Sequence, residues 1–145
     1  MTYPVQRVTL ITLGVDDLAL ARDFYEALGW VAAHAQEGVV FYQMNGTVLG
    51  LFGRDDLAMD QGRPGAALGT GAMTLAQNFD TEADVDAAYA AALAAGAKPL
   101  KAPEKVFWGG YSGYFADPDG HIWELAMNPF WPLSEDGSLT LPTPA

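Results

Sequence analysis

The sequence contains no cysteine and only two histidines among its 145 residues. The absence of cysteine excludes disulfides, a thiolate nucleophile, and zinc or iron–sulfur sites with cysteine ligands. The two histidines, His34 and His121, exclude any site that requires three imidazoles. These absences remove several large classes of enzyme before any motif is considered.

Basic residues are also few, since seven Lys and Arg stand against 18 Asp and Glu and give a formal charge of −11. A nucleic-acid surface needs a stripe of Lys and Arg, and an anionic membrane surface attracts clustered basic residues. The basic residues of this chain are instead scattered along the sequence. We therefore expect neither nucleic acid nor a membrane as a partner.

Long apolar segments are missing as well. The longest, such as 8–15 and 87–97, fall far short of the ~20 residues that a membrane-spanning helix needs. The N-terminus has no basic stretch followed by a long apolar one, so it does not resemble a secretory signal. Half of the residues are hydrophobic and 17% are charged, which is a globular composition. We expect a single domain over residues 1–145, located in the cytoplasm.

Two segments of the chain carry the same pattern of secondary-structure signals. Each segment begins with a β-rich run, at 8–15 in the first and at 72–79 in the second. An apolar stripe with the spacing i, i+3, i+4 and i+7 follows, starting at Ala21 in one segment and at Val85 in the other. This spacing places the apolar side chains on one face of a helix. The repeat therefore indicates two copies of one structural unit.

The two predicted helices have matching start and stop signals. Asp16 or Asp17 precedes the first helix and Thr81 precedes the second, and these residue types accept hydrogen bonds from the free N–H groups of a first turn. Gly29 and Gly96 stand where a helix-ending glycine belongs. Short β-like runs follow each helix, so each segment is predicted to be a βαβββ module.

The predicted fold class is α+β, with two βαβββ modules. The first module covers residues 6–53 and the second covers 71–128, with a glycine-rich linker at 54–70 and a proline-rich tail at 129–145. In the second module, the sequence Asp-Pro-Asp-Gly at 117–120 predicts a hairpin turn, because proline and glycine stand where a tight turn takes them.

Two motifs resemble those of a known superfamily. The first joins Val-Asp-Asp-Leu at 15–18 to the segment 24–30, and the second is the segment 114–125. On these motifs, residues 6–128 are similar to the vicinal-oxygen-chelate superfamily, which includes glyoxalase I, bleomycin-resistance proteins and extradiol dioxygenases. The resemblance implies two modules that form a U-shaped cleft, the glyoxalase/bleomycin-resistance/dioxygenase fold. It also implies a homodimer.

The resemblance further implies four positions for the divalent metal of this superfamily. Carried onto this chain one at a time, they fall on Leu10, Gly50, Thr74 and Glu124. Leucine and glycine offer no side-chain donor, threonine is a poor ligand, and the glutamate alone matches. We therefore predict no metal and no other cofactor, and keep a divalent metal as the alternative.

Glu124 is the candidate catalytic residue. Alternation along its strand places it with Ile122 and Ala126 on the face predicted to line the cleft. There it would act as an acid or base, or hold a ligand amine; the alternative is a carboxylate without function that neighbouring hydroxyls or water hold. His121 falls on the opposite face, and neither histidine is a convincing general base.

Aromatic residues beside glycines suggest the lining of the cleft. Trp108, Tyr111 and Tyr114 lie in one short stretch with three glycines. Such rings suit a flat or cationic organic molecule through stacking and cation–π contacts, or they fill the core. Further rings expected near the cleft are Phe41, Tyr42, Phe52 and Trp123.

The sequence is compatible with three functions. The first is binding of a small organic molecule in an aromatic cleft without a metal. The second is a glyoxalase-like lyase or isomerase that uses Glu124, with or without a divalent metal. The third is a scaffold or regulatory dimer whose cleft is filled by its own side chains. The candidate ligand-binding residues are Leu10, Thr12, Phe52, Thr74, Gln77, Trp108, Tyr111, Tyr114 and Glu124.

Overall fold

The computed structural model describes residues 4–144. The predicted domain also includes residues 1–3 and Ala145, which lie outside the described residues. Within the described range, no helix is long and apolar enough to cross a membrane. The helices are α1 (Leu18–Ala27), α2 (Arg54–Asp60) and α3 (Glu82–Ala94), and the strands are β1 (Leu10–Val15), β2 (His34–Gln36), β3 (Val39–Gln43), β4 (Val48–Gly53), β5 (Thr74–Asn78), β6 (Lys98–Lys105), β7 (Tyr111–Ala116) and β8 (Ile122–Met127).

The strands form two four-stranded sheets with the same plan. Their orders are β1-β4-β3-β2 and β5-β8-β7-β6. In each sheet the first and last strands of the module pair in parallel, and the other neighbours pair antiparallel. α1 connects β1 to β2, and α3 connects β5 to β6. The fold is α+β with two βαβββ modules, as the sequence predicts.

Both long helices begin and end where their local signals indicate. The side chains of Asp17 and Thr81 each accept a hydrogen bond of 3.1 Å from the backbone N–H three residues later. Past the helix ends, Gly29 and Gly96 have φ angles of 94° and 109°. Residues with a side chain rarely adopt this conformation, so glycine is needed at these two positions.

The first part of the segment predicted as a linker is helical. α2 begins directly after β4, and its Ala58 is buried. It packs on the end of β1 at Gly14, where a built Cβ would lie 3.1 Å from Arg54 Cγ and 3.2 Å from Leu57 Cδ2. A methyl group at position 14 would therefore require these two side chains to shift by a few tenths of an ångström.

One hydrophobic core joins the two modules through α1. The ring of Tyr25 lies 6.0 Å from that of Tyr42 in the first sheet and 6.2 Å from that of Trp123 in the second. Phe24, one residue earlier, lies 6.2 Å from Phe115. These rings are buried, so a helix of the first module contributes apolar contacts to the sheets of both modules.

A chain of buried hydrogen bonds reinforces the same junction. The hydroxyl of Tyr25 donates to Asp117 Oδ2 at 2.6 Å and accepts from Trp123 Nε1 at 3.1 Å. Asp117 Oδ1 accepts the backbone N–H groups of Asp119 and His121. Burial and the charge of Asp117 raise the pKa of the Tyr25 hydroxyl well above its usual value. The hydroxyl therefore stays protonated and fastens the β7–β8 turn to α1.

Candidate functional site

Each sheet packs one face against the core and leaves the other face open. In the first sheet, Leu13 and Leu51 are cross-strand partners and are buried on the core face. Because side chains alternate along a strand, Leu10, Thr12 and Phe52 belong to the open face. Leu10 is 45% exposed there.

The second sheet is divided in the same way. Trp123 is buried on the core face, and Glu124, the next residue, belongs to the open face. The cross-strand neighbours of Glu124 are Ala76 and Tyr114. Thr74 lies two residues before Ala76 and shares this face. All four metal positions implied by the resemblance therefore lie on the open faces of the two sheets.

Two of the predicted ligand-binding residues lie on the core side instead. Gln77 lines a groove of about 250 Å³ beside α3. The hydroxyl of Tyr111 donates to Asp86 Oδ1 on α3 at 2.7 Å, and this hydrogen bond raises the pKa of Tyr111 to about 12. Their odd spacings from Thr74 and Tyr114 put them on the other face, so the structure does not bring them to the open faces.

The aromatic lining is smaller than the sequence suggests. Tyr42 and Trp123 are buried in the core, so the expectation that they line the cleft is wrong. Trp108 lies in the β6–β7 loop, where its ring covers Gly110 so closely that a Cβ there would collide with it. The aromatic residues on the open faces are Phe41, Phe52 and Tyr114.

An apolar hollow of about 300 Å³ lies on the open face of the first sheet. Leu10, Phe41 and Val48 form much of its wall, and His34 is also among its lining residues. Gly50 lies beneath them, because a Cβ built on it would come within 3.1 Å of the Phe41 ring. All the residues that line this hollow belong to the first module. Its volume and apolar wall suit part of a small organic molecule.

Glu124 and Tyr114 form a polar pair on the open face of the second sheet. Burial and the charge of Glu124 raise the pKa of the Tyr114 phenol, so it stays protonated and can donate a hydrogen bond. Lys101 is the cross-strand partner of Tyr114 on the neighbouring strand. The ammonium group of Lys101 forms an ion pair with Glu104 at 3.1 Å, so the groups that this face leaves available are the carboxylate of Glu124 and the phenol of Tyr114.

The residues at the four metal positions do not fit the metal of this superfamily. The side chains of Leu10 and Gly50 offer no donor atom, and Thr74 has a neutral hydroxyl, so Glu124 is the single strong side-chain donor. In residues 4–144, no three His, Asp or Glu side chains come together as a metal-binding group. A lone carboxylate does not supply the several donors that a resident divalent metal takes from protein.

Comparisons with known proteins agree with this architecture. The family model for the Glyoxalase/Bleomycin resistance protein/Dioxygenase superfamily matches residues 7–125. A search among curated proteins found no significant match.

Solved structures agree with the match to the family model. A glyoxalase-related enzyme from Fulvimarina pelagi is 41% identical, with a TM-score of 0.87, over 96% of this chain and 100% of that chain. A lactoylglutathione lyase from Agrobacterium tumefaciens is 25% identical, with a TM-score of 0.68, over 90% of this chain and 100% of that chain. The chain therefore belongs to the Glyoxalase/Bleomycin resistance protein/Dioxygenase superfamily.

Proposed function

We propose that this protein binds a small, largely apolar organic molecule on the open face of its first sheet, without a resident metal. The observation that carries this proposal is the apolar hollow at Leu10, where the superfamily's first metal ligand would stand. Gly50, at the second metal position, leaves room for the Phe41 ring to lie against the strand. At these two positions, an apolar side chain and a glycine thus stand in place of the metal ligands of the superfamily.

The hollow supports a ligand with one ring and few polar groups. Its volume of about 300 Å³ is at the lower end of the range for small-molecule sites. Phe41 offers a ring for stacking, and Leu10 and Val48 offer aliphatic contact. The wall of the hollow is almost wholly apolar, although Thr9, His34 and Gln43 are among the residues that line it.

We further propose that a second copy of the chain completes the cleft. Thr74 and Glu124 lie on the open face of the second sheet and line neither the hollow at Leu10 nor the groove beside α3. Leu10 and Val8 are exposed apolar side chains at the other sheet. Pairing the first module of one copy with the second module of the other would bring Leu10 and Glu124 to one cleft. A native mass spectrum containing single chains alone would contradict this part of the proposal.

A lyase or isomerase that uses Glu124 is the second candidate function. The pair of Glu124 and Tyr114 favours it, because a carboxylate beside a protonated phenol is suited to moving a proton on a bound ligand. The relative from Agrobacterium tumefaciens is described as a lactoylglutathione lyase. A scaffold with a filled cleft is less well supported, since the hollow at Leu10 is open.

Replacing Leu10 by tryptophan is expected to weaken ligand binding by about tenfold or more, roughly 1.4 kcal/mol or above. The indole would fill the hollow, and the 45% exposure of Leu10 leaves room for it without disturbing the core. Fluorescence titration with N-phenyl-1-naphthylamine, a neutral apolar probe, measures this change in the presence of a chelator.

Leu20→Trp is the matched control for this variant. Leu20 lies on α1, is 56% exposed and does not line the hollow, so affinity for the probe should stay within about twofold of wild type. Equal affinity in both variants, or unchanged binding in Leu10→Trp, would show that the probe binds elsewhere. Thermal unfolding of both variants checks that the fold is retained.

A further inference from the structure

A second hollow, of about 510 Å³, lies between the two modules. Its walls come from the end of β1, from α2, from the segment that follows α2, and from the residues at the start of β8. It shares no lining residue with the hollow at Leu10. The polar side chains that line it are Thr12, Arg54, Gln61, Arg63, Thr70 and His121.

The charge of this hollow is opposite to that of the whole chain. The chain has 18 acidic residues and a formal charge of −11, yet none of the residues lining the hollow is Asp or Glu. Two of the four arginines and one of the two histidines of the sequence do line it. A concave surface with positive charge and no carboxylate in its lining attracts an anion.

Arg54 is fixed at this junction by the backbone of both modules. Its Nη2 donates to the Asp119 carbonyl at 2.7 Å, and its Nε donates to the Gly14 carbonyl at 3.3 Å. Its Nε also lies 3.5 Å from Asp16 Oδ1, but the Asp16 side chain is 75% exposed, so water screens this ion pair. The charge of the Asp119 carboxylate also acts on Arg54, so acidic residues outside the lining balance part of its positive charge.

Arg63 is oriented by a neutral partner. Its Nε and Nη2 both donate to Gln61 Oε1, which leaves its charge uncancelled. No ion pair in residues 4–144 involves Arg63. His121 Nε2 lies 2.7 Å from the Gly14 carbonyl, and because a carbonyl can only accept, Nε2 carries a hydrogen. Both side chains line the hollow and have a hydrogen-bond partner, Arg63 is exposed to solvent, and the lining contains no acidic residue.

We propose that this hollow binds a small organic carboxylate. A guanidinium presents paired N–H groups that match the two oxygens of a carboxylate. Leu57, Leu68 and Met73 form apolar parts of the wall, where the organic body of the ligand would lie. A monoanion suits the site better than a doubly charged phosphate, because the negative charge of the rest of the chain repels the higher charge more strongly.

Calorimetric titration with benzoate at low ionic strength tests this proposal. We expect saturable binding to the wild type and a loss of about tenfold or more in Arg63→Gln, since one charged hydrogen-bond donor is removed. Arg22→Gln is the matched control, because it removes the same charge from an exposed arginine that pairs with Glu26 on α1. Its affinity for benzoate should stay within about twofold of wild type.

The outcomes separate a carboxylate site from a general charge effect. Benzamide, a neutral analogue of the same shape, should bind at least about tenfold more weakly than benzoate. Equal losses in the two arginine variants, or no saturable benzoate binding to the wild type, would overturn the proposal. Benzamide binding as tightly as benzoate, or inorganic phosphate binding more tightly, would overturn it as well.

A second variant keeps this site distinct from the hollow at Leu10. Thr70 is exposed and lines the hollow between the modules, so Thr70→Asp adds a carboxylate to its wall without touching the core. Benzoate binding should be lost in this variant, while binding of N-phenyl-1-naphthylamine should remain. Loss of both, or retention of benzoate binding, would contradict the assignment.

Discussion

Replacing Asp117 by alanine is expected to lower the free energy of unfolding by about 2–4 kcal/mol, because a buried hydroxyl and two partly buried N–H groups would lose their acceptor. The side chain of Asp117 is 3% exposed. Its carboxylate accepts from the Tyr25 hydroxyl and from the N–H groups of Asp119 and His121. Each buried donor left without an acceptor costs about 1–3 kcal/mol, and the costs are not fully additive. Urea denaturation followed by tryptophan fluorescence measures the change.

Asp86→Ala is the matched control for this prediction. Asp86 also accepts a tyrosine hydroxyl, from Tyr111 at 2.7 Å, but that pair is exposed to solvent. Water replaces the lost partner there, so stability should stay close to that of the wild type. In a Tyr25→Phe background, Asp117→Ala should cost less, since one of the donors is already gone. Equal destabilisation by Asp86→Ala and Asp117→Ala would contradict a special role for the buried network.

Replacing Gly113 by alanine is expected to lower the free energy of unfolding by about 2–3 kcal/mol through overpacking. A Cβ at this position would lie 2.8 Å from the Lys101 carbonyl oxygen and 2.8 Å from the Pro103 nitrogen. Both are backbone atoms of β6, at a place where its pairing with β7 shifts register. They cannot rotate away as a side chain would, so the two strands must separate.

Gly69→Ala serves as the control for the strand contact. A Cβ at Gly69 would meet no atom within 4 Å, and its φ angle is not positive. The substitution should leave stability unchanged or raise it slightly, because alanine restricts the unfolded chain. If Gly113→Ala is as stable as Gly69→Ala, β6 moves away from the added methyl group without loss of stability, which contradicts the prediction. Urea midpoints of the two variants decide between these outcomes.

Local signals were sufficient for much of the fold. Strands follow each helix as predicted, and the helix caps at Asp17 and Thr81 are confirmed. These features depend on residues close together in sequence, and capping and alternation decide them. β6, which spans Lys98–Lys105, is less apparent from local signals.

The prolines of β6 make its full length hard to predict from the sequence. Pro99 and Pro103 argue against a strand, because proline lacks the N–H that a central strand needs. The sheet tolerates them because β6 is an edge strand and its pairing with β7 is irregular. Edge position is a property of the folded sheet and cannot be seen in the segment itself.

The candidate site was less predictable than the fold. The alternation that puts Glu124 on the open face also puts Gln77 and Tyr111 on the core face, so the spacing held a signal that could have separated them. The position of His34 among the residues that line the Leu10 hollow depends on the pairing of β2 with Phe41. The register between β2 and β3 is set by a short hairpin whose sequence has no strong hydrophobic pattern.

The hollow between the modules could not be predicted from the sequence. Arg54 and Arg63 lie in the segment that was predicted to be a linker, and His121 lies far from both along the chain. α2 has only seven residues, too few for a clear apolar stripe. The three side chains line one hollow, and the packing of the β7–β8 turn against the end of β1 brings His121 to it.

Native mass spectrometry tests metal-free binding most directly, using protein purified without chelator and equilibrated with Zn²⁺ and Ni²⁺. We expect pairs of chains with no stoichiometric metal, because Leu10, Gly50 and Thr74 add no strong donor to Glu124. An organic molecule retained on the chains would agree with this result. One metal ion per chain, present in the wild type and lost in Glu124→Gln, would contradict it.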